Sequence, residues 1–589
     1  MFFFKILLLF PILTLTFGEN LDWWENAAFY QIYPRSFADS DGNGIGDLNG
    51  ITSKLEYLKD IGIDAFWLSP IFKSPMFDFG YDISDFRDID PTFGTLDDFD
   101  KLVAKAKSLG LKVILDYVPN HTSHEHEWFT KSVQRIDPYT DYYMWHDGFP
   151  NSTAGGANLP PNNWISIFHG SAWTWHETRQ QFYFHVFLKE QPELHYRNED
   201  MRNEMPSIMK FWLDRGVDGF RIDATPHLME VGVDANGNYP DEPENGTCTN
   251  PNDHCFLDHI YTVNQDDSFK LLYEWRDFLS KYKADNGGDT RIAMCEHYAD
   301  VDIVMRVYGE KGDTRKGPMM PFNFLILQEF NNRSTAYDLK NTIDKWMSHK
   351  PSQFLPNWVM GNHDGSRVGS RLGADMIDWM NILILSLPGA SVNYYGEEIG
   401  MIDGIIPAEI QNDERDICRT PMQWNTDKNA GFSSGASTWL PVNENYLQGL
   451  NVQSELNTVG SHLYIYKQMM SIKKSEAVKT GVFETKVLDN VLLILRGTEK
   501  ERYVIMLNLN DRTSKVDPFK AFNISMKWTY AFVHKSGKAP GKIMDTAELT
   551  LNPKEAVVIK SNAITLQTLQ LLALSALAVI VKYSSALFM

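Results

Sequence analysis

The sequence predicts an α/β protein built on a (β/α)8 barrel, with a small subdomain inserted after the third strand and a C-terminal all-β sandwich. Three observations lead there. Short apolar runs alternate with longer amphipathic stretches over most of the chain, the rhythm of repeated β/α units around a parallel sheet. A stretch rich in Trp, His, Asn and Pro separates Val118 from the helical pattern near Ser207, too long a gap for one strand-to-helix loop. After about Thr480 the pattern turns to short alternating strands.

In chain order, "MFFFKILLLFPILTLTFGEN" carries one Lys and a short apolar run, the form of a secretory signal peptide over residues 1–18 with cleavage near Gly18. The barrel begins over 19–119, where "AFYQIYP", "DAFWLSP" and "KVILDYV" are strands one to three, and "ITSKLEYLKDIG" and "TLDDFDKLVAKAKSLG" the helices between them. Residues 120–191 form the insertion. The barrel resumes over 192–479 with "GVDGFRID", "RIAMCEH", "MMPFNFL", "WVMGNHD" and "SVNYYG", completing eight strands. Residues 480–560 hold "VLLILRG", "RYVIMLNLN", "WTYAFVH" and "EAVVIK", the terminal β domain. Over 561–589, small residues (Ser561, Asn562, Ala563) precede a spacer and an apolar run from Leu571 to Val581. That order matches a glycolipid (GPI) anchor signal with attachment at Ser561 or Asn562. A spanning helix is the alternative, but Gln570 and Lys582 bracket a run shorter than the roughly 20 residues a bilayer needs.

Hydrophobic residues are 43% of the 589, enough for a large core. A net charge of -21, from 55 Lys plus Arg against 76 Asp plus Glu, argues against nucleic acid as the main partner and suits neutral ligands. In the secretory context that the N-terminal segment implies, Cys248 and Cys255 in "GTCTNPNDHC" are the candidate disulfide, and Cys295 and Cys418 read as buried thiols. Glycosylation sequons stand at Asn151, Asn245, Asn332 and Asn523.

A barrel of this kind carries its active site at the C-terminal ends of the strands, so charged residues there decide the chemistry. Strand three ends in Asp116, with Asn120 and His121 just beyond; strand four carries Arg221 and Asp223; strand five ends in Glu296, and strand seven in His363 and Asp364. Alternation puts Arg221 and Asp223 on one face, so the cation can hold its neighbour ionised. No Ser-His-Asp order, phosphate loop or zinc spacing accompanies them, and no organic cofactor is expected. Asn120 is also a sequon, but it lies in this cluster, where a glycan would block the site.

"DYVPNH", "GFRIDA", a strand-five Glu and "NHD", in that order, resemble the four signature regions of the α-amylase family, glycoside hydrolase family 13. "QPELHYRN" and "RTPMQW" (Arg419 to Trp424) are similar to motifs of its α-glucosidase subgroup, and the likeness points to the secreted or membrane-anchored maltases of insects. The resemblance implies a retaining exo-α-glucosidase with Asp223 as nucleophile, Glu296 as acid and base, and Asp364 as third carboxylate flanked by His121 and His363. It further implies that Tyr81 of "DFGYD" stacks on the terminal glucose and that Asp78 pairs with Arg415 to close the pocket. Ala224, a small residue after the nucleophile, goes in this family with α-1,4 links, so maltose, sucrose and short maltooligosaccharides are the expected substrates, with transfer to sugar acceptors as a side activity. Glu193 and His195 depart from the Asp and Asn usual in "QPELHYRN", and His297 and Gly361 are also atypical.

"DSDGNGIGDLNG" (39–50) looks like the front of a calcium-sensor loop, yet Gly50 stands where the bidentate Glu belongs and no helix precedes Asp39. Related glucosidases use the matching loop as a structural calcium site, which implies Asp39, Asp41, Asn43, the Ile45 carbonyl and Asp47 as ligands. The expected partners are small oligosaccharides, the membrane through the GPI anchor, and a second copy of the chain as a homodimer. Mosquito gut members of the anchored group also resemble docking sites for a bacterial toxin, a further candidate partner. The expected location is the extracellular face of the plasma membrane, by resemblance the gut apical surface. Heavy chains of amino-acid transporters share the fold without catalysis, but they have an N-terminal spanning helix and a damaged carboxylate triad; here all three carboxylates are present.

Overall fold

Eight short parallel strands organise the middle of the chain: β1 (Ala28–Ile32), β2 (Ala65–Leu68), β3 (Lys112–Tyr117), β4 (Gly219–Ile222), β5 (Ile292–Cys295), β6 (Met319–Pro321), β7 (Asn357–Val359) and β8 (Ala390–Tyr394). The structure is a computed structural model describing residues 21–151, 158–313, 315, 317–525, 528–534, 542–544 and 546–561. The expected signal peptide and Asn562 with the rest of the anchor segment lie outside the described residues. All eight strands coincide with those expected from the apolar runs.

The strands are apolar on both faces because the ring is filled inside and covered by helices outside, so nearly every strand residue is buried. They pair in the order β6-β5-β4-β3-β2-β1-β8-β7. Between β6 and β7 no ladder forms, and a side chain closes the ring instead. The buried Asn357 donates through Nδ2 to the Pro321 carbonyl at 2.7 Å and accepts at Oδ1 from the Asn323 amide at 2.8 Å. One amide side chain thus supplies the donor and acceptor that a β6–β7 rung would have supplied.

Helices α1 (Leu48–Asp60), α2 (Leu96–Ser108), α3 (Glu199–Asp214), α4 (Asp266–Asn286) and α5 (Ala336–His349) pack outside the ring. Their starts are set by short polar side chains: Asp47 and Asn198 cap α1 and α3, and Thr95/Asp98 and Thr335/Asp338 form capping boxes on α2 and α5. Helix α6 (Ile377–Ser386) is different, with every residue buried. It lies between α7 (His462–Lys473) and the C-terminal sheet, so no face is left for water.

The inserted segment builds a three-stranded antiparallel sheet from Trp145–His146, Trp173–His176 and Gln181–Phe184, with the last in the middle. Its core of Met144, Trp164, Trp173, Phe182 and Phe184 is shared with Val231, Tyr239 and Tyr261. Those three come from the long excursion after β4, which carries the Cys248–Cys255 disulfide with Cα atoms 5.7 Å apart. The subdomain is therefore made of two separate chain segments. Cys295 and Cys418 are free and buried, as expected.

After α7, strands β9 (Val482–Leu488), β10 (Val491–Gly497), β11 (Arg502–Asn508), β12 (Ser514–Val516), β13 (Trp528–His534), β14 (Leu549–Leu551) and β15 (Ala556–Ser561) form the terminal domain. Five make an antiparallel sheet, ordered β9-β10-β11-β15-β13, and β12 pairs with β14. Alternation sorts β10 between two cores. Leu492 and Ile494 face the barrel core, whereas Val491, Leu493 and Leu495 join Val504, Met506 and Ile559 in the domain's own core. Ser561 closes β15, and its Oγ accepts the Arg502 amide at 2.9 Å. Among the described residues, no helix is long and apolar enough to cross a membrane.

Candidate active site

The register of the ring brings the predicted residues to one rim. β3 and β4 pair Asp116 with Arg221, and β4 and β5 pair Arg221 with Met294, two residues before Glu296. Arg221 is buried and its guanidinium meets three carboxylates. It donates to Asp116 Oδ1 at 3.0 Å, contacts Glu296 Oε2 at 2.9 Å and binds Asp223 directly. Trp67 lies under the cation, 5.0 Å from ring centroid to Cζ, and its Nε1 donates to Asp116 Oδ2 at 3.1 Å. Backbone fixes Glu296 from the other side, since the Ala224 amide donates to Oε2 at 3.0 Å. Ala224 sits at φ 49°, a left-handed conformation uncommon for a residue with a Cβ, and one often found at functional turns.

Crowding three carboxyls around one cation splits their protonation. Burial pushes Glu296 up to about 8, and the Asp223 and Asp364 charges add to the rise against the pull of Arg221. Burial also raises Asp223, but Arg221 limits it to about 6. Near neutral pH the pair therefore holds one proton, on Glu296, and one charge, on Asp223. Asp364 goes the other way, to about 2: burial alone would raise it, but His363 and the cations Arg419, Arg415 and Arg221 outweigh that.

A chain of hydrogen bonds sets the floor. His363 Nδ1 faces Gln31 Nε2 at 2.9 Å and its Nε2 faces the Tyr81 hydroxyl at 2.7 Å, which donates in turn to Asp116 Oδ2 at 3.2 Å. With Gln31 donating, His363 is neutral with its proton on Nε2; burial holds its pKa down at about 3. The Tyr81 and His363 rings are parallel, with centroids 5.4 Å apart. His121 Nε2 meets the Tyr81 carbonyl at 3.1 Å, and burial holds it neutral too, at about 4.

Arg415 closes the far side. Its Nη2 pairs with Asp78 at 3.1 Å and its Nη1 with Asp364 at 3.1 Å. Together these residues line a cavity of about 1020 Å³ that also takes in Phe168, Phe187 and Tyr298. Every residue predicted for catalysis and substrate binding thus arrives in one place. Several functional neighbours were not foreseen. Asp413 clamps Arg415 by Nε at 2.8 Å, and Gln191 donates to Asp78 Oδ2 at 3.2 Å. Asp413 had a signal in "NDERD", an acid two residues before the arginine; Gln191, on the insertion, had none.

Asn120 is fully buried, which bars a glycan there, whereas Asn245, Asn332 and Asn523 are exposed and Asn151 half-buried. Two of the atypical residues have local reasons. Glu193 is buried against Glu230, and its Oε2 accepts the Val186 amide at 3.1 Å. A Cβ at Gly361 would come within 2.2 Å of Glu397 Oε1. In the 39–50 loop, Asp39, Asp41 and Asp47 bring carboxylate oxygens within 4.8 Å of one another, an all-oxygen set suited to a hard cation. Asn43 and Ile45 lie between them, with Asn43 Oδ1 accepting the Ile45 amide at 2.8 Å. The loop is tied to the rim opposite: Asp39 donates through its amide to the Phe432 carbonyl at 2.9 Å, and Trp439 donates to Gly44 at 3.0 Å.

Residues 31–481 match the α-amylase catalytic domain. The chain belongs to the α-amylase family. It is 48% identical to maltase A2 of Drosophila melanogaster over 553 residues, 92% of this chain and 95% of that one. It is 48% identical to a salivary alpha-glucosidase of Aedes aegypti over 518 residues, 85% and 87% of the two chains. The crystal structure of an alpha-glucosyl transfer enzyme, XgtA, superposes with a TM-score of 0.78 at 32% identity, covering 92% of this chain and all of that one.

With Asp223 and Glu296 as the expected reacting pair, kcat/KM is predicted to be a bell in pH. Toward phenyl α-glucoside, whose poor leaving group needs a proton, activity is expected to fall below about 6 as Asp223 gains a proton and above about 8 as Glu296 loses one. Glu296→Gln should erase the alkaline limb, measured from pH 4 to 10; an alkaline limb that survives the substitution assigns that titration to another group.

Proposed function

We propose that the protein is a retaining, exo-acting α-glucosidase that releases terminal glucose from maltose, sucrose and short maltooligosaccharides. The observation that carries this reading is Arg221 holding the Asp223 and Glu296 carboxyls side by side, one on each nitrogen of its fork, with burial raising Glu296 further than Asp223. An ionised carboxylate beside a protonated one is what a double displacement needs, and retention calls for the two roughly 5 Å apart.

Asp223 attacks the anomeric carbon while Glu296 gives its proton to the departing glycosidic oxygen, so the sugar–oxygen bond breaks as the glucosyl ester forms. Glu296, now a carboxylate, takes a proton from water, which displaces Asp223 and restores both groups. Asp364, charged throughout, accepts hydrogen bonds from sugar hydroxyls that strengthen as the ring distorts. The Tyr81 face would pack on the ring, and the Asp78–Arg415–Asp364 bridge across the cavity would stop a longer chain from running through, which favours chain ends. Ala224 leaves room beside the nucleophile, consistent with α-1,4 links.

Calcium is proposed for the 39–50 loop, where Asp39, Asp41, Asn43, the Ile45 carbonyl and Asp47 would hold it. Bound there, the ion would neutralise the clustered carboxylates and stiffen the contact between the loop after β1 and residues 432–439. Glycans at the exposed sequons and a glycolipid anchor at Ser561 or Asn562 complete the proposal, placing the enzyme on the outer face of the plasma membrane.

Glucose release from maltose, sucrose and isomaltose tests the activity. Maltose and sucrose are expected to be cleaved well and isomaltose poorly, with Asp223→Asn at least about 10³-fold slower on all of them; a wild type inactive on all three overturns the reading. Millimolar calcium should raise the thermal midpoint by about 2–5 °C, and Asp41→Ala should abolish that rise. A wild-type midpoint insensitive to both calcium and chelator would leave the loop a metal-free brace.

A further inference from the structure

His297, the unusual residue after the acid and base, has no part in the chemistry above, yet its ring is buried at the junction of β4 and β5. Its Nδ1 lies 2.9 Å from the Thr225 hydroxyl. That hydroxyl also bonds the Glu296 carbonyl, and the Thr225 amide donates to the same carbonyl at 3.1 Å. A hydroxyl has one proton to give. Since a carbonyl only accepts, the Thr225 proton goes to Glu296, and His297 must therefore donate from Nδ1. The ring is thereby set as the neutral Nδ1–H tautomer, with Nε2 buried and without a partner among the described residues. Phe269 packs on one side with ring centroids 5.4 Å apart; burial above all, and then the positive charge of Arg306, which lies over the Phe269 ring, hold the imidazole neutral.

The residues joined here sit next to the two reacting carboxyls in the chain, Thr225 two after Asp223 and His297 one after Glu296. The Ala224 amide already grips the Glu296 carboxyl, so residues 224 and 225 hold Glu296 at side chain and backbone together. The Thr225 hydroxyl adds a second bond to the Glu296 carbonyl that its own amide already holds, and His297 fixes that hydroxyl in turn. We infer that Thr225 and His297 are a positioning pair that ties the acid and base to the nucleophile's loop and so sets where its proton is delivered. The inference rests on the assignment of Glu296 as acid and base proposed above. Neither side chain lines the cavity; both act through Glu296.

The test separates steps that need that proton from steps that do not. Maltose requires protonation of its leaving group; 2,4-dinitrophenyl α-glucoside does not. Thr225→Val, which keeps shape and loses the hydroxyl, should cut kcat/KM for maltose about 30-fold and change it less than about 3-fold for the aryl glucoside. Thr225→Ser should restore most of the maltose activity. His297→Phe, which keeps the ring beside Phe269 and removes the donor, should show the same selective loss, and it carries the test if Thr225→Val does not accumulate as folded protein. Equal losses on both substrates, no loss on maltose, or a Ser variant as impaired as the Val one would overturn the pairing. Glu296→Gln run alongside distinguishes the two levels: if it too loses equally on both substrates, the acid assignment itself fails. If it discriminates while the Thr225 and His297 variants do not, only the positioning role falls.

Discussion

The buried guanidinium of Arg221 is the interaction on which the rest of the site depends. A cation this deep is held only because three carboxylates surround it, and those carboxylates are tolerable only because of the cation. Its planar fork lets separate nitrogens meet Glu296 and the Asp116/Asp223 pair, which a lysine could not do. The barrel exists, for this purpose, to bring the ends of β3, β4 and β5 close enough for one side chain to reach all three. Asp116 is the structural third of the set: wholly buried, hydrogen-bonded by Trp67 and Tyr81, and kept out of the cavity. Asp223 and Glu296 are left at the surface of that cavity, Glu296 pushed further toward its neutral form than Asp223.

Around this centre the fold supplies closure. The inserted subdomain and the excursion after β4 share one aromatic core, and the insertion delivers Gln191 to Asp78. The segment from 413 to 419 delivers Arg415 and Arg419, so Asp364 is flanked by cations and stays charged where its neighbours are pushed toward neutrality. The loop at 39–50, which looked at first like a sensor, joins the rim after β1 to residues 432–439. A cation there would stiffen a contact that already exists.

Much of this was legible in the sequence, for reasons that can be stated residue by residue. Parallel strands buried on both faces read as apolar runs, so all eight appeared, as did the amphipathic helices α1 and α2 and the helical pattern near Ser207. Asp223, Glu296 and Asp364 stood out because a charge at the end of an apolar run has few structural uses. What stayed hidden depended on distance in space. Asn357 closing the β6–β7 seam looks like any strand-start polar residue. Val231, Tyr239 and Tyr261 belong to a Pro/Asn-rich stretch that gives no sign of packing on the insertion. The Thr225–His297 contact joins residues 72 apart, and only the register of β4 against β5 brings them together.

The central claim is that Arg221 keeps Asp223 ionised while Glu296 holds its proton. The direct measurement is the pH dependence of kcat/KM for Arg221→Lys set against wild type, with folding checked by circular dichroism. A lysine keeps the charge but cannot reach both carboxyls with separate nitrogens. The account predicts that the acid limb moves upward by a unit or more, narrowing the bell from its low-pH side as activity falls. An acid limb unmoved in a folded Arg221→Lys variant would contradict it.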